Sequence, residues 1–543
     1  MATKTIDGVT LQEMILAGAA LLEQNRAVID ALNVFPVPDG DTGTNMSQTI
    51  GAAVREVQAH QYPTVGEVAA CASKGALKGA RGNSGVILSQ ILRGIAKALK
   101  GAEEMDVALF VKAMRSGSDT AYKAVMKPKE GTILTIQRVI AETLENANLS
   151  DDIIETMELV ISADNDILRK TPDMLPALKQ AGVVDSGGKG LLTVYMGFLS
   201  VLKGEVIGEE SETAASEEKR TGESEPETLE DIACAYQTEC VVTHPKAGLT
   251  SADVAKLRRR LERIGECVKV VGDLEVVTVH LNTNDPGRAL QMALELGEID
   301  EIRIVNRLEA FRLKEAEKAK AETELKEYGI VAVALGEGLV NIFKDLSVDR
   351  VVDGGQTMNP SINDLYEAIE SVPARQVFVL PNNTNIILAA QQAAKLTSKT
   401  VYVLPTKSVP MGIAAAVAFM PDHTGEENCA AMQEAAEHVH TASVTYAVRD
   451  TTFDNREIHE GDIMALVDNH IQLLGHDIDQ VASDVLKDMV NDDTELITIY
   501  YGSDIPEEQA QELCDRLSEE YDQYDVSVLP GGQPLYYYLI AVE

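Results

Sequence analysis

The sequence predicts a multidomain chain: an all-α helical region over residues 1–203, an α+β module over residues 231–307, and a C-terminal α/β region over residues 328–543. Three observations predict this. Apolar residues recur at helical spacing up to Leu202, the period shortens after Asp231, and from Gly329 short apolar runs alternate with helical patterns. Residues 204–230 are rich in Glu, Ser and Thr and poor in large apolar residues, so they read as an acidic linker that cannot repay the entropy of ordering.

In the first region Leu11, Met14, Ile15, Leu21, Leu22, Ile29 and Leu32 share a helical stripe, with Gly18 as its small member. The stripe gives way to Asn33-Val34-Phe35-Pro36-Val37-Pro38-Asp39-Gly40-Asp41-Thr42-Gly43-Thr44-Asn45-Met46-Ser47. Asp39 and Asp41 stand too close in sequence to share a helix face, so the segment reads as a loop. Such a loop holds two carboxylates together. Magnesium takes one or two carboxylates and leaves its other positions to water and phosphate. Gly40 and Gly43 permit a tight turn or a close approach to a ligand, and Thr44 and Ser47 suit either phosphate oxygens or the cap of the next helix. The plainer alternative is a solvated Asx turn.

Three further glycine-rich stretches join helical patterns. Ala80-Arg81-Gly82-Asn83-Ser84-Gly85 precedes a helix carrying Val86, Ile87, Ile91, Leu92 and Ile95; the others are Lys127–Thr132 and Val184–Gly190. Gly82–Gly85 suits phosphate, because free N–H groups and the helix dipole both favour an anion. Singly, each marks an ordinary turn. Together with the acidic loop they predict loops that meet at one end of a helical bundle.

Composition narrows the function. The 543 residues allow three or four domains at roughly 150 residues each. A net charge of −39 argues against nucleic acid and against an anionic membrane surface. Six scattered cysteines without a Cys-x-x-Cys pair fit reduced cytoplasmic thiols. The N-terminus lacks the apolar core of a signal peptide, and no stretch is apolar and long enough to insert stably in a membrane, so a cytoplasmic location is expected.

In the middle module, strands over 233–244, 267–271, 275–281 and 301–305 and helices over 251–264 and 286–296 give the order βαββαβ, the ferredoxin-like arrangement. Residues 308–327 form a highly charged connecting helix with a solvated face. In the last region, runs at 330–335, 350–352, 376–380 and 400–404 each precede a helical pattern, as a parallel sheet requires. They end in Gly336-Glu337-Gly338, Asp353–Thr357, Pro381–Asn385 and Pro405–Ser408. These four loops either line a cleft at the carboxyl edge of the sheet or merely cap helices. Strands over 442–449, 463–468, 471–474, 495–501, 526–529 and 535–542, with helices over 478–489 and 506–521, complete a mixed segment in which Tyr536-Tyr537-Tyr538 are strand residues.

The acidic loop with its Asp-Gly-Asp-Thr-Gly-Thr-Asn-Met string, taken with Ala80–Gly85, Lys127–Thr132 and Val184–Gly190, resembles the L-subunit domain of the dihydroxyacetone kinase family across residues 8–203. The whole chain resembles the catalytic, ATP-binding subunits of bacterial fatty acid kinases. The resemblance implies a closed all-helical barrel in which aspartates hold two magnesium ions against the phosphates of ATP. It implies Asp39 and Asp41 as catalytic metal ligands, with Asn33 as a further ligand or orienting group. Thr42, Gly43, Thr44, Asn45, Gly82, Asn83, Ser84 and Gly85 would hold phosphate, and Thr132, Asp185, Gly187 and Gly188 would shape the nucleotide pocket. No Gly-x-x-x-x-Gly-Lys-Ser/Thr string is present, so nucleotide binding does not come from a P-loop.

The implied reaction is phosphoryl transfer to a fatty acid carboxylate presented by a separate fatty-acid-binding protein, docked by the C-terminal region. In the resembled kinases a cysteine before Thr-Glu and two histidines one residue apart form a zinc site. Here the matching positions are Gln237, His280 and Asn282, so zinc is not expected. The apolar barrel leaves room for a homodimer. Two rivals remain: a kinase for dihydroxyacetone, whose single-chain forms place the L-like domain last rather than first, and a nucleotide-sensing scaffold without turnover.

Overall fold

The computed structural model describes residues 3–34, 40–59, 62–205, 233–246, 250–272, 277–309, 312, 325–355, 358–447, 451–453, 456–467, 470–491 and 494–543. The chain forms two compact units, residues 1–210 together with 326–543, and residues 211–325. Most of the expected linker at 204–230 and of the charged helix at 308–327 lies outside the described residues.

The N-terminal part of the first unit is helical. It comprises α1 (Gly8–Gln24), α2 (Arg26–Ala31), α3 (Thr42–Gln58), α4 (Val65–Gly79), α5 (Gly82–Ala98) and α6 (Val107–Ala124). It continues through α7 (Ile133–Asn146), α8 (Ile153–Leu168), α9 (Thr171–Met174), α10 (Pro176–Ala181) and α11 (Ser186–Lys203). A short antiparallel pair, β1 (Thr5–Ile6) and β2 (Met105–Asp106), ties the N-terminus to the start of α6. Side-chain caps start several helices, Asp7 for α1, Thr64 for α4, Asp106 for α6 and Asp152 for α8.

The stripe of α1 is buried at Leu11, Met14, Ile15, Gly18 and Leu22. The helices close a ring: α1 packs on α11, α11 on α8, α8 on α7, α7 on α6, α6 on α5, α5 on α4 and α3, and α3 on α1. One apolar cluster fills it. The α1–α11 crossing depends on two glycines, for a Cβ on Gly197 would stand 2.5 Å from the Cα of Gly18.

The C-terminal part opens with β7 (Lys326–Ala334), α14 (Glu337–Asp345), β8 (Arg350–Asp353), α15 (Ile362–Ser371), β9 (Ala374–Leu380), α16 (Thr384–Ala394) and β10 (Thr400–Val403). These strands form a parallel sheet in the order β10-β9-β7-β8. After α17 (Val409–Val417) and α18 (Gly425–His438) come β11 (His440–Tyr446), the hairpin β12 (Thr451–Phe453) and β13 (Arg456–Ile458), β14 (Ile463–Val467) and β15 (His470–Gly475). The chain ends with α19 (Ile478–Met489), β16 (Leu496–Tyr501), α20 (Glu507–Glu520), β17 (Asp525–Pro530) and β18 (Tyr538–Val542). The second sheet has the order β15-β14-β11-β18-β16-β17. Of the three consecutive tyrosines only Tyr538 enters the strand, fully buried, with its hydroxyl donating to Asp479 at 2.9 Å.

The two parts of this unit share a core. Val331, Val333, Val377 and Val379 of the parallel sheet pack with Ile362 and Ile386 and with Ala80 and Val86 of the helical part. The Ile362 N–H also donates to the Ala80 carbonyl at 3.1 Å. Burying a side chain such as Val86 stabilises by roughly 1.5–3 kcal/mol, so this is a fixed joint. It sets the carboxyl edge of the sheet against the corner between α4 and α5.

In the second unit β3 (Tyr236–Pro245), α12 (Ser251–Leu261), β4 (Gly265–Gly272), β5 (Val277–Thr283), α13 (Pro286–Leu294) and β6 (Gly297–Asn306) form an antiparallel sheet in the order β4-β5-β3-β6 with two helices. Thr250 caps α12, with Asp253 closing a capping box. Cys240, Val242, Val277, Val279 and Leu281 pack against Leu257, Leu261, Ala289 and Ala293.

Candidate active site

Helix starts decide where the polar groups of the helical part gather. Thr42 opens α3, Asn83 and Ser84 lie in the first turn of α5, Ile133 opens α7, and Ser186 and Gly187 open α11. All of these residues line one cleft of about 470 Å³. The first N–H groups of a helix have no partner within it, and that end carries the positive pole of the dipole. Four such ends of the helical part around one cavity favour an anion there. The Ser186 hydroxyl donates to Thr42 Oγ1 at 3.3 Å and ties two of the ends together.

Asn33 and Asp41 bring buried oxygen donors to this cleft, at 2% and 7% exposure. Asp39 lies outside the described residues. Asn45 and Thr132 also line the cleft, and the exposed Lys127 and Lys129 stand on its wall. Asp185 accepts the Gly188 N–H at 2.7 Å and is 6% exposed. Burial pushes its carboxyl up to about 7, against the N–H groups of Gly188 and Ile133, which pull it down. Asp185 is therefore a brace between the starts of α11 and α7 as well as a cleft residue.

Other residues expected at the site stand behind the wall. Thr44 donates through its N–H and its hydroxyl to Asp30, at 3.0 and 2.9 Å. A Cβ on Gly43 would meet the Arg26 carbonyl oxygen, one on Gly85 the Thr49 hydroxyl, and one on Gly188 the Ile136 side chain. These glycines let helices approach. Gly82 has φ +56°, which lets the chain turn into α5 against the Asn45 amide.

The rest of the cleft comes from residues that the sequence pattern does not single out as part of it. Thr384, Asn385, Ile387, Leu388 and Gln391 of α16 form the facing wall. Asn83 Nδ2 donates to Asn385 Oδ1 at 2.9 Å. Asn359, 2% exposed, donates through Nδ2 to Asp41 Oδ2 at 2.6 Å, and its carbonyl accepts from Arg81 at 2.7 Å. Arg81 also pairs with Asp364 at 3.4 Å. The signal was the asparagine content of segments at the carboxyl ends of β8 and β9, together with Arg81 in a phosphate-like loop. Residues of three of the four strand-end loops, Gly354 and Gly355, Pro381 to Asn383, and Lys407 and Ser408, line a cavity of only about 90 Å³, room for a few waters and not for an acyl chain.

The positions matching the resembled zinc site face one another on β3 and β5, Gln237 opposite Asn282 and Glu239 opposite His280. Gln237 Nε2 and His280 Nδ1 both lie 2.9 Å from Glu239 Oε1. Among the described residues, which do not include Asp39, no group of three or more His, Cys, Asp or Glu side chains is placed to hold a metal ion. None of the described helices is long and apolar enough to cross a membrane.

Family comparisons follow the same division of the chain. Residues 36–200 match the DAK2 domain, residues 233–312 the middle domain and residues 329–543 the C-terminal domain of the FakA-like fatty acid kinase proteins. Protein YloV of Bacillus subtilis is 42% identical over 555 residues, covering 100% of both chains. The chain belongs to the FakA-like fatty acid kinase family. Another relative of this FakA-like chain, the uncharacterized protein SAR1202 of Staphylococcus aureus, is 40% identical over 99% of both chains. Solved structures with some likeness include a DegV family protein of Thermus thermophilus, described for its fatty acid binding, at 14% identity and TM-score 0.31 over 40% of this chain and 99% of that one. Fak B3 of Streptococcus pneumoniae, loaded with linoleic acid, has 15% identity and TM-score 0.29 over 40% and 99%.

Proposed function

We propose that this FakA-like chain transfers the γ-phosphoryl group of ATP to the carboxylate of a fatty acid carried by a separate fatty-acid-binding protein, giving an acyl phosphate. The observation that carries this reading is the convergence of the starts of α3, α5, α7 and α11 on the cleft that also holds Asp41 and Asn33. Phosphoryl transfer needs positioning and charge stabilisation more than covalent help. Helix N-termini facing a buried carboxylate supply both.

Magnesium, expected here as two ions, fits the donor set. Asp41 and Asn33 are buried oxygen donors of the kind a hard cation takes. Asn359 Oδ1 is buried without a hydrogen-bond partner among the described residues, an acceptor that a cation-bound water would satisfy. Asp41, Asn33 and Asp39 would hold the metal, which when bound neutralises charge across the β- and γ-phosphates. The N–H groups opening the four helices hold phosphate oxygens, and Lys127 and Lys129 add positive charge at the rim. An acyl carboxylate oxygen bonds to the γ-phosphorus as the bond to the β,γ-bridging oxygen breaks, and ADP leaves with that electron pair. The carboxylate is already deprotonated, so no general base acts on it.

The middle unit is read as a ferredoxin-like module, supported by its βαββαβ order and the strand order β4-β5-β3-β6. The test is to supply the full chain with ATP, magnesium and a fatty-acid-loaded binding protein, and to trap acyl phosphate with hydroxylamine. Lipid-dependent ADP and acyl hydroxamate are expected. ADP release that depends on dihydroxyacetone instead, or no nucleotide turnover at all, overturns the reading.

A further inference from the structure

Asp41 sits in the helical part, yet a hydrogen bond holding its carboxylate comes from more than three hundred residues away. Asn359 lies on the segment that leads from β8 into α15, and its Nδ2 donates to Asp41 Oδ2 at 2.6 Å. Residues 359 to 364 are tied to the helical part at several points. The Asn359 carbonyl accepts from Arg81 at 2.7 Å, Arg81 pairs with Asp364 at 3.4 Å, and the Ile362 N–H bonds the Ala80 carbonyl at 3.1 Å. Behind these bonds Ile362 packs into the same buried cluster as Ala80 and Val86. A buried side-chain amide held this tightly fixes the orientation of the carboxylate it bonds.

We propose that Asn359 is a positioning residue for Asp41, and that through it the docking of the C-terminal α/β part and the binding of a divalent cation at Asp41 are thermodynamically linked. This rests on the reading of Asp41 as a cation ligand. A group that orients a metal-binding carboxylate raises its affinity by fixing its geometry before the ion arrives. Linkage runs both ways: if docking favours the ion, the ion favours docking by the same free energy. The 2.6 Å bond is the element that both events bias.

The experiment uses the full chain as wild type, Asn359→Ala and Asn385→Ala. Magnesium is titrated calorimetrically in the presence of a non-hydrolysable ATP analogue, so turnover plays no part. Removing Asn359 is expected to raise the magnesium midpoint about tenfold, the lower end of the usual cost of losing such a partner. Asn385→Ala removes a different cross-contact, to Asn83, and is expected to shift the midpoint clearly less. Amide exchange over residues 358–364 supplies the reciprocal readout: magnesium with the analogue should slow it in the wild type and not in Asn359→Ala. If Asn359→Ala does not fold, Asn359→Ser, with its shorter donor, takes its place and should give an intermediate shift.

An unchanged midpoint in a folded Asn359 variant overturns the inference. So does an equal shift in Asn385→Ala, which would assign the effect to docking in general. Failure of the wild type to bind the analogue in a magnesium-dependent way would instead overturn the reading of the site.

Discussion

The cleft at Asp41 and the polar row on the middle sheet contain the same chemical groups. Each has a carboxylate and an amide that donates to it, at 2.6 Å from Asn359 to Asp41 and at 2.9 Å from Gln237 to Glu239. They differ in their surroundings. Asp41 is 7% exposed and shares its cleft with the starts of α3, α5, α7, α11 and α16, whereas the side chains of His280 and Glu239 are 23% and 34% exposed and satisfy one another. A pair that completes its own hydrogen bonds beside water has nothing left to offer a ligand. A buried carboxylate beside N–H groups with no helical partner is the arrangement that the proposed function assigns to a cation and phosphate. Residue types do not separate the two; burial and convergence do.

The comparison breaks most sharply at Asp41. Asp41→Ala is expected to lower turnover by at least about 10²-fold, in line with the loss of one group that stabilises transition-state charge. The thermal midpoint should stay near that of the wild type, because the apolar core behind the cleft is untouched. Initial rates of ADP release together with a melting curve check it. Near-normal turnover would reduce the cleft to a structural feature.

A smaller effect separates buried from exposed carboxylates by pH. Asp185 is pushed up to about 7 from an ordinary 3.8, which amounts to roughly 4 kcal/mol. The sign follows from proton binding: the folded chain holds this proton more tightly than the unfolded chain. The stability it contributes is complete below the unfolded value and is lost as pH rises through about 7. Asp185→Asn keeps an oxygen for the Gly188 N–H and removes the charge. Its thermal midpoint should exceed that of the wild type at pH 8, and the gap should close toward pH 4. A gap independent of pH would show that the Asp185 carboxyl binds its proton no more tightly in the folded chain than in the unfolded one.

How much of this was legible in the sequence depended on whether the cause was local. Period and capping chemistry lie within a few residues, so the helices, the βαββαβ order and the alternation after Gly329 were readable. The first turns of α3, α5 and α11 were readable because glycine and hydroxyl residues gather where helices begin. Asn359 and Asn385 were not assigned to this cleft, because their partners Asp41 and Asn83 come near only when the parallel sheet packs on the corner between α4 and α5. The strand-end loops read either as the lining of one cleft or as helix caps; residues of three of them line a small cavity, while Thr384 and Asn385 at the end of one loop line the cleft of Asp41. Asp164 shows the same limit. Nothing in its helical run marks it, yet it is fully buried without a hydrogen-bond partner among the described residues, and burial drives its carboxyl well above the ordinary range.

The smallest effect belongs to the middle sheet and tests the other half of the comparison. The hydrogen bond from Gln237 leads in holding Glu239 below its ordinary value, and His280 adds to it. A lowered carboxylate contributes stability above its unfolded value and loses it as pH falls through the folded one. With both side chains partly in water, Glu239→Gln should cost less than about 1 kcal/mol at pH 7, and the difference should vanish in acid. Stoichiometric zinc should leave the melting midpoints of wild type and variant unchanged, since two of the positions matching the zinc ligands carry amides, Gln237 and Asn282. A zinc-induced rise in the wild type that Glu239→Gln or His280→Ala abolishes would make this row a second site, and the contrast with the cleft would then rest on the kind of ion each one takes.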